Sequence, residues 1–299
     1  MRRGLLIYNP AAGSGRQRAR LQNLLGLLRD GGIATEAIAT HHPGHATTLA
    51  RDAATVRSVD VVFAHGGDGT IREVAAGLLG SSVALGVIPG GTVNVVRLAF
   101  GLPATPEAAA VRLCQLTPRP IDVGLCGGKP FLMQASAGSV AHVLARAQGS
   151  WLKKKFGLAG VLAGSGPAFL DYDYPPIEAE IDGQTIRAFS VMVCNISELA
   201  GPYRMVPAGR HDDRQLEVAL FHGKGFLAEA SFSIDLYRGR HATRPDIEIR
   251  PVSVVRMLGP HPLPLQIDGD AITAQLPVEL RLADERLLVL AEPDQRCPA

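Results

Sequence analysis

His65-Gly66-Gly67-Asp68-Gly69-Thr70 follows the apolar run Val61-Val62-Phe63-Ala64 and precedes Ile71, Val74, Ala75 and Leu78, which are apolar at helical spacing. The pattern predicts a strand, a glycine turn and the start of a helix. Gly66, Gly67 and Gly69 permit positive φ and let a ligand touch bare backbone, while the helix behind aims unpaired N–H groups and its positive dipole end at the same place. An anion, above all a phosphate group, is expected there. Asp68 then needs a reason, because a carboxylate repels phosphate unless a divalent cation lies between them or the group binds sugar or backbone. Thr70-Ile71-Arg72-Glu73 also fits a capping box with Thr70 as the cap. Capping does not account for three glycines.

Working outward, residues 4 to 8 read as a buried strand, followed by the turn Asn9-Pro10-Ala11-Ala12-Gly13-Ser14-Gly15-Arg16 and a helix with Leu21, Leu24, Leu25 and Leu28 on one face. That turn has neither the GxGxxG spacing of a dinucleotide fold nor the GK[ST] of a P-loop. Residues 33 to 39 form a second strand ending at Thr40, and Gly44 opens a helix expected to turn Leu49, Ala53 and Val56 inward. Val83 to Ile88 form a fourth strand before Pro89-Gly90-Gly91-Thr92-Val93-Asn94. Strands alternating with helices imply a doubly wound parallel sheet, whose ligand sits outside the carboxyl ends of the strands.

Near Ile121-Asp122-Val123-Gly124 the texture changes, giving an expected boundary between an α/β domain over 1–122 and a β-rich domain over 123–299, with the last strands allowed to pack back on the first. Short alternating runs at 177–181, 189–193, 216–220, 263–267, 278–282 and 287–290 predict antiparallel strands. Two Asp-Gly turns, Asp182-Gly183 and Asp268-Gly269, sit between apolar runs and read as type I′ hairpins. From pattern alone both are structural.

The 299 residues suit two domains, and a net charge of +2 with 5% aromatics carries no nucleic-acid footprint. Cys114, Cys126, Cys194 and Cys297 are widely spaced, which excludes a CxxC zinc or disulfide pattern and suits a reducing cytoplasm. No run reaches the roughly 20 apolar residues of a transmembrane helix. His41, His42 and His45 lack a carboxylate or cysteine partner at metal spacing.

Taken together, Asn9-Pro10 with Gly13 to Arg16, Thr40 before Gly44-His45-Ala46, the Gly66 to Thr70 turn, Pro89 to Asn94, Asn195, Pro207-Ala208, Asp213 with Leu216, and Asp268-Gly269-Asp270 resemble the diacylglycerol-kinase catalytic-domain superfamily, of the bacterial soluble lipid kinase type. The resemblance implies an N-terminal α/β nucleotide-binding domain, a C-terminal antiparallel β-sandwich, and ATP meeting a lipid hydroxyl in the cleft between them. It implies nucleotide contacts from Asn9, Thr40, Gly66, Gly67, Asp68, Gly69, Thr70, Ile71, Arg72 and Thr92, with Asp68 beside the phosphates and Mg²⁺ and Asp268 as general base. Asp213 and the Leu216 carbonyl would match a structural Mg²⁺ site, although the usual glycine after that aspartate is Arg214 here. Arg16, beside the expected helix start, is a candidate phosphate clamp or a solvated first-turn arginine.

Val95, Val140, Arg72 and Asp270 stand where the family more often has Asp, Asp, Asn and Glu. The lipid is accordingly open among diacylglycerol, phosphatidylglycerol, sphingoid bases, ceramide and polyprenols. The alternatives are an NAD-kinase-like enzyme, since GGDGT is shared, and a non-catalytic lipid- or nucleotide-binding module. A cytoplasmic protein, peripheral on the inner membrane surface, is expected, with a homodimer left open. Trp151-Leu152-Lys153-Lys154-Lys155-Phe156, leading into the charge-free stretch to Leu170, is the expected membrane contact or else a solvated lysine turn.

Overall fold

The computed structural model describes residues 2–10, 17–56, 59–91, 94–146, 170–200, 203–259, 263–274 and 276–293. The chain divides into two units, Met1–Ile121 with Glu285–Ala299, and Asp122–Asp284. The first is built on β1 (Arg2–Tyr8), β2 (Ile33–Ala39), β3 (Val61–Gly66), β4 (Ala84–Pro89) and β5 (Pro118–Ile121), joined by the chain's last strand, Leu287–Leu290. Their order is β2-β1-β3-β4, then the last strand, then β5. The first four are parallel, the last strand runs parallel to β4, and β5 is antiparallel to it. All residues of β3 and β4 are buried, the near-continuous apolar signature of a parallel strand covered on both faces.

Helices α1 (Gln17–Asp30), α2 (His45–Thr55), α3 (Asp68–Leu78), α4 (Val95–Ala99) and α5 (Pro106–Gln115) belong to this unit. The predicted inner face of α3, Ile71, Val74, Ala75 and Leu78, is buried. The inner face of α2 differs from expectation. Ala46, Ala50 and Ala53 are buried, Leu49 is half-buried, and Val56, just past the helix end, is exposed. The reason is close helix packing: a Cβ on Gly77 of α3 would lie 2.4 Å from the Thr47 carbonyl and 2.7 Å from the Ala50 Cβ, so only small side chains fit along that seam.

The capping box is not made. Gly67 is the N-cap of α3, so the helix starts two residues before Thr70. Glu73 is thereby turned toward α2, where its carboxylate accepts hydrogen bonds from the Gly44 and Ala46 amides at 2.8 and 3.2 Å. It satisfies the donors at the start of a neighbouring helix rather than its own.

The second unit is a sandwich of two six-stranded antiparallel sheets. One holds β6 (Gly124–Cys126), β7 (Lys129–Phe131), β9 (Ile177–Ile181), β10 (Gln184–Ala188), β16 (Val254–Leu258) and β19 (Val278–Leu282), in the order β10-β9-β16-β19-β6-β7. The other holds β8 (Gln134–Ala137), β11 (Ser190–Cys194), β14 (Leu216–Phe221), β15 (Ile247–Val252), β17 (Pro264–Ile267) and β18 (Asp270–Thr273), ordered β15-β14-β11-β8-β17-β18. A short ribbon, β12 (Glu198–Ala200) with β13 (Tyr203–Arg204), completes the strands before the last one, β20. Alternate residues such as Ile177, Ala179 and Ile181 of one sheet and Val191, Val193, Val218 and Leu220 of the other form a single buried core. Among the described residues two α-helices of a turn or more accompany the sandwich, α6 (Ser139–Arg146) and α7 (Phe226–Tyr237). Helix α7 is not marked in the sequence, because its apolar residues are spread around the helix and carry no 3.6-residue period.

Candidate active site

Strand register brings the expected nucleotide residues of the first unit together. Tyr8 pairs with Ala39 and His65, and His65 and Gly66 pair with Ile88 and Pro89, so the four strands end level. The Asn9 amide donates to the His65 carbonyl at 3.1 Å, that of Thr40 to Tyr8 at 2.9 Å, and that of Gly90 to Gly66 at 3.0 Å. Asn9, Thr40, the Gly66–Arg72 stretch and Gly90-Gly91 therefore crown one edge of a single sheet. Arg16 and Thr92 lie outside the described residues.

Gly66 and Gly91 have separate steric causes. A Cβ on Gly66 would meet Thr70 Oγ1 at 2.7 Å, and one on Gly91 would meet the Gly67 Cα at 2.9 Å, so the β3 and β4 loops touch backbone to backbone. A Cβ on Gly67 would meet nothing within 4 Å. Asn94, in the left-handed conformation at φ 50°, is buried and staples the two loops. Its Oδ1 accepts from Gly91 N and its Nδ2 donates to the Gly66 carbonyl, both at 2.8 Å. No role for Asn94 follows from its motif alone; the signal in the sequence is an Asn, tolerant of left-handed φ, closing a glycine loop.

Asp68 is the second staple. Its carboxylate accepts from the Val95 and Val96 amides at 3.2 and 3.3 Å, satisfying the first donors of α4. This answers in part why an acid stands in a phosphate-type turn, since two of its roughly four acceptor positions serve backbone. Beneath the loops His65 is buried, with Nδ1 3.2 Å from the Ile88 carbonyl. Burial holds its pKa below the ordinary histidine value, so a neutral ring supports the turn.

In the second unit the two Asp-Gly pairs both take positive φ at both positions, 52° and 77° for Asp182-Gly183, 50° and 84° for Asp268-Gly269, as type I′ turns require. Asp268 is only 7% exposed. Its Oδ2 accepts from the Leu132 amide at 2.9 Å, and its Oδ1 from Met133 and Gln134 at 2.9 and 3.0 Å. Three consecutive amides thus cradle the carboxylate, and the Asp268 amide returns a 2.9 Å bond to the Gln134 carbonyl. Gln266, fully buried, fixes the other side by accepting from Gly269 N at 2.8 Å. Two residues on, Asp270 opens β18 opposite Ile267 and is half-exposed.

The expected structural cation site does not fit a resident Mg²⁺. Asp213 is exposed and its Oδ1 accepts from Gln215 N at 3.0 Å, a turn bond. The buried carboxylate nearby is Asp122, 0% exposed, and it already has a cation. Its Oδ2 accepts from Arg214 N at 2.7 Å, and its Oδ1 lies 3.4 Å from Arg214 Nη1. Arg214 takes φ 62°, a conformation that favours glycine, and so places its guanidinium on Asp122. Among the described residues no group of three or more His, Cys, Asp or Glu side chains could hold a metal. Asp213 and Leu216 as metal ligands stay an expectation of the resemblance, which this hydrogen bonding does not support.

An apolar cavity lies between α7 and the β11–β14–β15 face, lined by Val140, Met192, Leu199, Met205, Phe221 and Phe232 among others. Glu229 on its wall is buried and accepts from Ser139 Oγ at 2.5 Å. Burial raises its pKa, against the opposing effect of that bond.

A parallel sheet crowned by interlocked glycine loops, together with a β-sandwich carrying an amide-cradled Asp-Gly-Asp hairpin, defines a protein of the diacylglycerol-kinase type. The chain belongs to that family: the family described as diacylglycerol kinase catalytic domain matches residues 3–126, and the one described as YegS C-terminal NAD kinase beta sandwich-like domain matches residues 134–291. It is 30% identical over 280 residues to the diacylglycerol kinase of Bacillus subtilis (strain 168), covering 90% of each chain. It is 27% identical over 266 residues to a YegS-like lipid kinase of Chromohalobacter salexigens, covering 86% of this chain and 84% of that one. A crystal structure described as a diacylglycerol kinase from Bacillus anthracis str. Sterne shares the fold, with a TM-score of 0.72 at 22% identity, over 98% of this chain and 97% of that one.

Proposed function

We propose that the protein is an ATP-dependent lipid kinase that transfers the γ-phosphoryl group of magnesium-bound ATP to a lipid hydroxyl. The observation that carries this reading is the interlock of the β3 and β4 glycine loops through Asn94 and Asp68 at the carboxyl ends of parallel strands. Phosphoryl transfer needs alignment and charge stabilisation more than covalent help, and preorganised amides at a helix start supply both. Asn9, Thr40 and the Gly66 to Arg72 stretch, with Arg16 and Thr92, contact the nucleotide. The apolar cavity under α7 accounts for a hydrocarbon chain as the other part of the substrate.

The acceptor hydroxyl needs a base. Asp268 is the residue that the resemblance offers, but three of the roughly four acceptor positions of its carboxylate already serve amides. We assign the base to Asp270, half-exposed on the same hairpin, and give Asp268 the task of holding that hairpin in place. Asp270 removes the hydroxyl proton, the oxygen attacks the γ-phosphorus, and the bond to the β–γ bridging oxygen breaks to release ADP.

The test is incubation with γ-labelled ATP and a total lipid extract, with NAD as a parallel acceptor, and identification of products by mass spectrometry. A phosphorylated lipid is expected. Phosphorylated NAD, or ATP binding without transfer to any lipid, would overturn the reading.

A further inference from the structure

Helix α7 carries large apolar side chains on both sides, with Ser231 the one small polar residue between Leu227 and Ile234 on the outward row, yet only one side is covered. Phe232 and Leu236 line the cavity, and Glu229 faces Ser139. On the outward side Leu227, Ile234 and Tyr237, spaced by seven and three residues, are 81%, 52% and 72% exposed. Exposed large apolar side chains that share one helix face mark a contact surface, so the bare stripe needs an occupant. The charges nearby say which. The two carboxylates of the helix are answered internally, Glu229 by Ser139 and Asp235 by Arg244 at 2.5 Å. The exposed charges flanking the stripe are cations: Lys224 before the helix, its ammonium 5.8 Å from the Phe189 ring, and Arg238 and Arg240 after it.

We propose that α7 is a membrane-docking helix that lies in the interface of an anionic bilayer, its outward stripe among the acyl chains and Lys224, Arg238 and Arg240 at the headgroups. Cations beside exposed apolar side chains can reach the headgroups while the stripe enters the acyl region, and tyrosine with its polar tip suits that depth. The inner side of the same helix walls the apolar cavity, so a lipid chain leaving the bilayer meets a covered apolar surface on the other face of one element. The proposal rests on the lipid-kinase reading for its choice of a bilayer as partner. Trp151 to Phe156, the stretch expected to make this contact, lies outside the described residues.

The experiment compares the full chain with a Leu227→Ser, Ile234→Ser, Tyr237→Ser triple variant and with a Lys224→Gln, Arg238→Gln, Arg240→Gln triple variant. Co-sedimentation is measured with phosphatidylcholine vesicles with and without phosphatidylglycerol, and turnover with a short-chain diacylglycerol below its micelle concentration. The wild type should prefer anionic vesicles and be released by salt. The serine variant should bind them at least about tenfold more weakly, and the glutamine variant should lose up to about fivefold per cation. Both should keep wild-type unfolding midpoints and wild-type turnover of the monomeric lipid. Vesicle binding by the serine variant equal to wild type overturns the proposal, as does a wild-type dimer that this variant dissociates without change in vesicle binding. Vesicle binding as expected without phosphorylation of any lipid leaves α7 as a docking helix and removes the kinase reading instead.

Discussion

The hairpins at Asp182-Gly183 and Asp268-Gly269 are the same turn in the same unit, with both central residues at positive φ, and they do different work. The Asp182 side chain is 61% exposed, and its charged neighbour is Arg250 at 3.7 Å, a pair worth little in water. The Asp268 carboxylate is buried on three amides, with Gln266 bracing the turn from the far side. Asp-Gly specifies the turn in both cases. What the aspartate does beyond the turn is set by the Leu132–Gln134 backbone, more than a hundred residues away in sequence.

The sharpest way to break this comparison is Asp268→Ala, which strands three buried amides and is expected to cost about 3–5 kcal/mol, read from denaturant unfolding. A cost no larger than that of Asp182→Ala would mean that the two hairpins are equivalent after all. Arg214→Gln extends the comparison to the other buried carboxylate, Asp122. Removing a half-exposed guanidinium is expected to cost about 1–2 kcal/mol, with Arg214→Lys recovering part of it. Removal of divalent cations with EDTA, in the absence of nucleotide, is expected to leave the wild-type midpoint unchanged; a fall abolished by Asp213→Asn would restore the metal. Asp68→Ala removes the acceptor of two α4 amides and is expected to cost about 1 kcal/mol, the scale of a lost helix cap, while strongly weakening use of magnesium-ATP. Normal use of the nucleotide would confine Asp68 to the staple. At the bottom of the scale, Asp182→Asn is expected to stay within about 0.5 kcal/mol of wild type.

How far the fold could be read in the sequence follows from which elements carry a period. The strand, glycine turn and helix at 61–78 were legible because apolar run and helical spacing change at the glycines, and both Asp-Gly turns because their dihedrals demand those residues. Glu73 was misread, since a capping box and a carboxylate that caps a neighbouring helix look alike locally. Val56 was misplaced because helical spacing does not reveal that α2 packs on Gly77 and tolerates only alanines there. Helix α7 escaped because a helix apolar on both faces has no pattern to detect. In the candidate site, the glycine loops were legible as a type of chemistry. Between Asp268 and Asp270 the sequence offers no choice of base, because three amide donors from the Leu132–Gln134 backbone leave no trace in residue identity.

The division of labour within Asp268-Gly269-Asp270 is most directly tested by measuring kcat and unfolding midpoint on the same preparations of Asp270→Asn and Asp268→Asn, with magnesium-ATP and whichever lipid the extract assay identifies. For Asp270→Asn the account predicts a wild-type midpoint and a kcat lower by roughly 10²-fold or more, the scale of losing a general base. For Asp268→Asn it predicts a lowered midpoint, because an amide N–H₂ must face a backbone N–H. Full activity in Asp270→Asn, with the loss of kcat appearing in a normally stable Asp268→Asn, would contradict it and return the base to Asp268.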